Sequence, residues 1–182
     1  MCFDEVSAML KFRKAQKNDI DAVAKIYSDI HSQEENGIVK IGWIRDVYPT
    51  RETAENALLR NDLFVAEDEN GVVGSAIINQ IQVDSYKAVN WRFEASDSEI
   101  MVLHTLVISP GYAGRGYGKL FVDFYEQYAL SQNCRYLRMD TNAANERARA
   151  MYKKLGYVEI GITDCVFNGI DGVKLVLLEK KL

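Results

Sequence analysis

Gly114, Gly116 and Gly118 stand at alternate positions in the run Ser109-Pro110-Gly111-Tyr112-Ala113-Gly114-Arg115-Gly116-Tyr117-Gly118-Lys119. The run joins an apolar segment, Ile100–Ile108, to a stretch in which Leu120, Phe121, Phe124, Tyr125, Tyr128 and Ala129 recur at helical spacing. Glycines at such a strand-to-helix corner let the backbone turn tightly and keep side chains away from a ligand. The first turn of a helix leaves amide hydrogens unpaired, and its dipole favours negative charge there. Together these make an anion site of the size of a pyrophosphate, with Arg115 or Lys119 adding charge. The competing reading is a tight connection with no ligand. The run lacks the Gly-Lys-Ser/Thr ending of a triphosphatase phosphate loop. It also follows more than half the chain, whereas a dinucleotide fold carries its glycines beside the first strand.

A second constellation lies downstream. Asn142 and Asn145 fall where Leu137–Thr141 gives way to a helical pattern, and a side-chain amide at such a junction holds either the helix start or a ligand. Ala148, Met151, Tyr152 and Leu155 share one helical face, so Tyr152 brings a hydroxyl to apolar surroundings. The alternative for Tyr152 is a core aromatic whose hydroxyl is satisfied.

The elements that must position these residues are readable from period and turn chemistry. Leu10–Ala15 reads as a first strand and Asn18–His31 as a helix, with Asn18 and Asp21 as its start pair and Gly37 as the break. Arg51–Arg60 reads as a second helix after Pro49-Thr50. Leu63–Ala66 and Val72–Ile78 read as strands joined around Asn70-Gly71. Gln80–Ser98 is the least regular stretch, expected to hold strand extensions around a loop. Ile100–Ile108 reads as the central strand, Tyr136–Thr141 as another, and Asn145–Leu155 as a helix closed by Gly156. Strands at Tyr157–Val166 and Val173–Glu179 flank Asn168–Gly172. This order implies a mixed α/β (α+β) sheet with helices on both faces and antiparallel hairpins at each end.

The chain has 182 residues, the size of one domain, so residues 1–182 are expected to form one. Its net charge of −4, from 22 basic and 26 acidic residues, argues against a nucleic-acid partner. Cys2, Cys134 and Cys165 are odd in number and far apart, which disfavours a disulfide framework. With only His31 and His104 as histidines and no cysteine pair at ligand spacing, no metal site is expected. No apolar run spans a bilayer, and Met1–Glu5 is acidic where a secretory leader is basic, so no membrane partner and a cytoplasmic location are expected.

The ordered set of an apolar strand ending at Ile108, the Gly114-Arg115-Gly116-Tyr117-Gly118 turn, and Asn145 followed by Ala148, Tyr152, Leu155, Gly156 and Tyr157 resembles the GNAT-type N-acetyltransferases. One departure is Ala113, which stands where that family usually has Arg or Gln; it removes a side-chain contact but no backbone amide. The resemblance implies a splayed sheet of six or seven strands that admits acetyl-CoA between the strands ending near Ile108 and Thr141. It implies that Leu106 and Ile108 pair with the pantetheine arm through their backbones, and that the stretch from Ala113 and Gly114 through Arg115, Gly116 and Gly118 to Lys119 receives the pyrophosphate. Asn145, with Asn142 beside it, would contact the cofactor, and Tyr152 would lie near its sulfur.

On that reading a neutral primary amine attacks the thioester directly. A backbone amide near Leu106 or Val107 would meet the charge developing on the carbonyl oxygen. Tyr152 would protonate the thiolate. The amine's proton would pass to His104, whose ordinary pKa suits neutral pH, or to Glu99. Each has an ordinary alternative: a packed strand histidine and a solvated carboxylate. A bulge in the strand would reconcile the different parity of the two. Trp43, Tyr48 and Trp91 would line the acceptor pocket or pack the core. The acceptor, a small molecule or a peptide, stays open, as does a twofold homodimer. Two other readings are a non-catalytic acyl-CoA sensor and a protein-interaction domain of the same fold.

Overall fold

A computed structural model describes residues 10–182; Cys2 and the acidic stretch Met1–Glu5 lie outside them. In chain order the elements are β1 (Lys11–Lys14), α1 (Ile20–Glu35), α2 (Arg51–Leu59), β2 (Leu63–Asp68), β3 (Gly71–Asn79), β4 (Ile100–Ile108), α3 (Tyr117–Ser131), β5 (Tyr136–Asn142), α4 (Glu146–Lys154), β6 (Val158–Phe167) and β7 (Ile170–Lys181). The seven strands form one sheet in the order β1-β2-β3-β4-β5-β7-β6. Among the described strands, β4 and β5 are the one parallel pair, joined by the crossover through α3. This mixed sheet with helices on both faces is the fold class expected from the sequence.

Alternation along the strands divides the core into layers. Met101 and Leu103 of β4 and Leu137 and Met139 of β5 meet Phe121 and Tyr125 of α3 and Tyr152 of α4 on one face. Tyr125 is fully buried and donates its hydroxyl to the Met101 carbonyl at 2.6 Å, which ties α3 to the middle of β4. On the other face Val23, Tyr27 and Ile30 of α1 and Ala54 and Ala57 of α2 cover Leu63, Val65 and Ile77. The remainder of that face, around Ile100, Val102, Leu175 and Leu177, is covered by Tyr86, Val89 and Trp91. Full burial of each large apolar side chain contributes about 1.5–3 kcal/mol, so these layers hold the frame of the cleft in place.

Three local expectations are corrected. The first helix starts at Ile20, after a single 3-10 turn over Lys17–Asp19, not at Asn18. Asp19 reaches back to the Gln16 amide at 2.7 Å and is held by Arg13 of β1 at 2.7 Å, so a strand partner sets the start where the sequence suggests Asn18 and Asp21. That helix also continues through the polar Ser32–Glu35 before Gly37 turns at φ 69°. Residues 80–99 form no strand extension. Two 3-10 turns, Asp84–Ala88 and Asp97–Glu99, carry the chain over the sheet, pinned by Arg138, which donates to the side chain of Gln82 and stacks over Trp91 at 4.1 Å.

Among the described residues no helix is long and apolar enough to cross a membrane, and no group of three or more His, Cys, Asp or Glu side chains is placed to hold a metal.

Candidate active site

β4 and β5 pair only from Ile100–Leu103 against Tyr136–Met139. Beyond that register β4 runs on to Ile108 and β5 to Asn142 without bonding to each other, while each keeps its outer neighbour. The strands therefore part like a V at their carboxyl ends, where α3 and α4 begin. Ligands in open α/β sheets sit at such ends. A cleft of about 990 Å³ fills the V.

The wall on the β4 side is shaped by a bulge. Ser75 of β3 faces Val107 while Ile77 faces His104, so three steps on β4 oppose two on β3. Thr105, at φ 51°, is the inserted residue. For a β-branched residue that conformation costs about 1–2 kcal/mol, held here by the surrounding sheet. Parity inverts across it: Met101 and Leu103 face α3 before the bulge, Leu106 and Ile108 after it, and Val107 turns to the α1 layer. The Tyr48 and Thr105 hydroxyls are hydrogen-bonded to each other.

At the mouth of the V, Gly114 and Gly116 both lie at φ 80°, with Gly116 in the N-cap position of α3. A Cβ added at Gly114 would meet nothing within 4 Å, so the corner stands open. Ala113, Gly114, Gly116, Gly118 and Lys119 line the cleft, as do Leu106, Val107 and Ile108. Arg115 does not: it is exposed, and its guanidinium stacks over the Tyr112 ring at 4.9 Å.

Asn142 and Asn145 line the opposite wall. Asn145 caps α4 by accepting the Ala148 amide at 3.2 Å, and Asn142 accepts the Ala144 amide at 2.9 Å. Gly42 packs so closely on Asn142 that an added Cβ would lie 2.2 Å from its side-chain nitrogen. This contact brings the strap Gly37–Trp43 onto the cleft. Glu34 of α1 anchors the strap by accepting the Ile41 and Gly42 amides at 2.6 and 3.1 Å. Tyr152 is 6% exposed and lines the cleft; among the described residues its hydroxyl has no hydrogen-bond partner. Burial, followed by the charge of Asp140, raises its pKa and keeps it protonated at neutral pH.

Trp43 and Tyr48 also line the cleft and meet edge to face at 6.1 Å, as Tyr48 and Phe167 do at 5.7 Å. Burial pushes the Tyr48 hydroxyl up to about 12, against the Thr105 bond. Trp91 lies outside the cleft. Its indole donates to the Tyr86 carbonyl at 3.0 Å, and the ring packs against Arg138.

The two expected bases are not brought to this cleft. Glu99 is exposed and accepts the Ser96 amide and hydroxyl at 3.1 and 2.7 Å, which lowers its pKa. It precedes β4 by one residue, six residues from Thr105, about 20 Å along an extended chain. His104 lines a second cavity of about 500 Å³ that meets the main cleft at Tyr48, Thr105 and Phe167. Its Nε2 lies 3.1 Å from Asn79 Oδ1, and burial pushes it down to about 4.

The sequence reading missed Asp140, Tyr86 and the strap. Asp140 lines the cleft and accepts the Tyr86 hydroxyl at 2.9 Å. Burial pushes its carboxyl up to about 6, against that hydrogen bond. A signal was present: in Leu137-Arg138-Met139-Asp140, charges alternate with apolar residues inside a central strand, marking a face that needs partners or a ligand.

The family model of the acetyltransferase (GNAT) family matches residues 21–157. A GNAT-family acetyltransferase of Streptococcus agalactiae aligns over 95% of both chains with a TM-score of 0.78 and 22% identity. One of Listeria monocytogenes aligns over 95% of both with 0.71 and 21%. A ribosomal-protein-alanine N-acetyltransferase of Brucella melitensis aligns over 94% of this chain and 99% of its own with 0.69 and 19%. Among curated proteins, an uncharacterized N-acetyltransferase of Methanocaldococcus jannaschii is 27% identical over 70 residues, 38% of this chain and 31% of that protein, so the match spans about a third of the relative's length. The strand-splay cleft and the glycine corner thus occur in a chain that belongs to the GNAT acetyltransferase family.

Proposed function

We propose that this protein transfers the acetyl group of acetyl-CoA to a primary amine by direct attack. The observation that carries the reading is the parting of β4 from β5, which puts the glycine corner, an unpaired stretch of β4 and the Tyr152 hydroxyl on one continuous cleft. These residues fit the carrier. The first turn of α3 lines the cleft at a corner where Gly114 and Gly116 carry no side chains, which suits two linked phosphates. The β4 edge beyond Leu103 has no strand partner on the β5 side, which suits an extended amide-bearing arm. Bound there, acetyl-CoA supplies an acetyl group already activated as a thioester.

The chain's own residues do the rest. An amide of Leu106 or Val107, beside the bulge, is the donor for negative charge developing on the carbonyl oxygen. Tyr152 holds a proton on its Oη at neutral pH and hands it to the departing sulfur. Trp43, Tyr48 and Phe167 exclude water from the place where the amine must lie.

Calorimetry with acetyl-CoA, followed by an assay for free CoA over a panel of amines, tests the reading. The expected outcome is a dissociation constant on the order of micromolar and CoA release that depends on the amine. Failure to bind any CoA species would leave a fold without the chemistry. Binding with no release on any amine would leave a sensor.

A further inference from the structure

Five charged residues line the cleft, and four of them, Lys40, Lys119, Glu146 and Arg147, are exposed to solvent. Asp140 is the exception. It is half-buried and lines the cleft together with Tyr48, Thr105, Tyr152, Phe167 and Leu175. Its Oδ2 is engaged by Tyr86, and among the described residues Oδ1 has no hydrogen-bond partner. A half-buried carboxylate in a cleft, with one oxygen committed and the other unpartnered among the described residues, offers a place for a cationic or protic guest. The aromatic walls at Trp43, Tyr48 and Phe167 suit the same kind of guest, since ring faces attract cations and cover apolar bodies.

We propose that Asp140 is the amine site of this cleft: its Oδ1 binds the acceptor's ammonium group and removes one proton from it, and the acceptor is a primary amine with an aromatic or alkyl body and no carboxylate on the amine-bearing carbon. The proposal rests on the acetyltransferase reading and deepens it. A carboxylated acceptor would set its own negative charge beside Asp140, and the described basic residues of the cleft, Lys40 on the strap, Lys119 at the start of α3 and Arg147 on α4, are all solvent-exposed.

Protons and bonds balance as follows. Asp140 takes one proton from the ammonium and later releases it to solvent. The freed nitrogen lone pair forms the N–C bond as the C–S bond breaks. Tyr152 gives its proton to the sulfur and recovers one from the nitrogen, so the products are the amide and the free thiol. The titratable groups facing Asp140 are Tyr86 from the Asp84–Ala88 turn, Tyr48 from the segment before α2, Tyr152 from α4 and Cys165 from β6. All four are neutral at pH 7 by ordinary or raised pKa. Arg138, two residues away on the same strand, is turned to Glu179. A carboxyl displaced by burial to about 6 is ionised at neutral pH yet basic enough to take a proton.

The test uses 2-phenylethylamine, its carboxylated counterpart phenylalanine, and Asp140→Asn, which keeps the side-chain shape and an acceptor for Tyr86. In the protein without CoA, the carboxyl carbon signal of Asp140 followed by NMR should titrate with a midpoint at least one pH unit lower once phenylethylamine is present. An unmoved midpoint, or no phenylethylamine binding at all, overturns the proposal without recourse to any variant. By calorimetry at pH 7.5, phenylethylamine should bind Asp140→Asn at least tenfold more weakly than the unaltered protein, and phenylalanine should bind the unaltered protein at least tenfold more weakly than phenylethylamine. Equal affinities in either pair overturn it. Acetyl-CoA should bind both proteins alike. Loss of acetyl-CoA binding by the unaltered protein would instead sink the acetyltransferase reading, so the two failures are distinct.

Discussion

Two acids on the same side of the sheet, Glu179 buried on β7 beside the closed end of the β4–β5 pair and Asp140 half-buried at its open end, have opposite environments. At the closed end Glu179 of β7 is 1% exposed, 3.6 Å from Arg138, and accepts the Arg92 amide at 3.0 Å. At the open end Asp140 has one neutral partner, Tyr86, and a cavity. Burial raises the pKa of both. The difference is what opposes it: Glu179, although its Oε1 makes no hydrogen bond, has the buried Arg138 guanidinium and backbone donors that tie residues 92 and 93 to the sheet, while among the described residues no cation is paired with Asp140. A carboxylate compensated from within serves the fold; one left short of partners serves a guest.

The largest expected effect sharpens the first half of that comparison. Glu179→Ala leaves Arg138 buried without its partner, which destabilises by about 3–5 kcal/mol; a thermal melt unchanged within error would show that the pair is dispensable. Next comes Tyr152→Phe, expected to lower kcat about 100-fold while acetyl-CoA affinity stays within a factor of two; equal activity of this variant across pH would remove its acid role. Gly42→Ala pushes a methyl into Asn142 and should weaken acetyl-CoA binding by about 1–3 kcal/mol by displacing the strap, read by calorimetry. His104→Gln should change turnover less than about threefold and leave the acid-side limb of the pH–rate profile in place. Loss of that limb would return the proton-accepting role to the second cavity.

The pH behaviour separates the two candidate bases. Asp140 has a folded value of about 6 against an ordinary 3.8, so the native state holds the proton more tightly than the unfolded chain. The stability this contributes is complete below 3.8 and lost as pH rises through about 6, while the ionised form needed for proton uptake grows over the same window. His104 has a folded value of about 4 against an ordinary 6.5, so its contribution is present above 6.5 and lost as pH falls through about 4. Denaturation followed from pH 4 to 7 should therefore show Asp140→Asn losing less stability on the rise than the unaltered protein.

Most of the glycine-corner side of the cleft was legible in the sequence because its signals are local. The alternate glycines, the apolar strand before them and the amphipathic helix after them lie within thirty residues of one another. The helix face that carries Tyr152 is set by spacing alone. On the other side Trp43 and Tyr48 were read as pocket lining and do line the cleft, but the rest was not legible, because it is assembled from partners far apart. Asp140 is engaged by Tyr86, 54 residues earlier, and Gly42 lies on Asn142. Trp91 reads as pocket lining until Arg138 of β5 takes its face. Glu99 reads as a possible base because its distance from the V depends on where β4 begins to part from β5, which no residue type announces.

The extra residue at Thr105 has a wider consequence. An uninterrupted strand must devote one set of alternate side chains to each layer for its whole length. With the insertion, β4 exchanges these duties midway, so substitutions that tune its first half for packing leave its second half at liberty to change with the guest. Removing that single residue would restore one-to-one pairing with β3 and leave Leu106 and Ile108 on the α3 face and Val107 on the other, so the change would be confined to the kink at Thr105 and its hydroxyl contact with Tyr48.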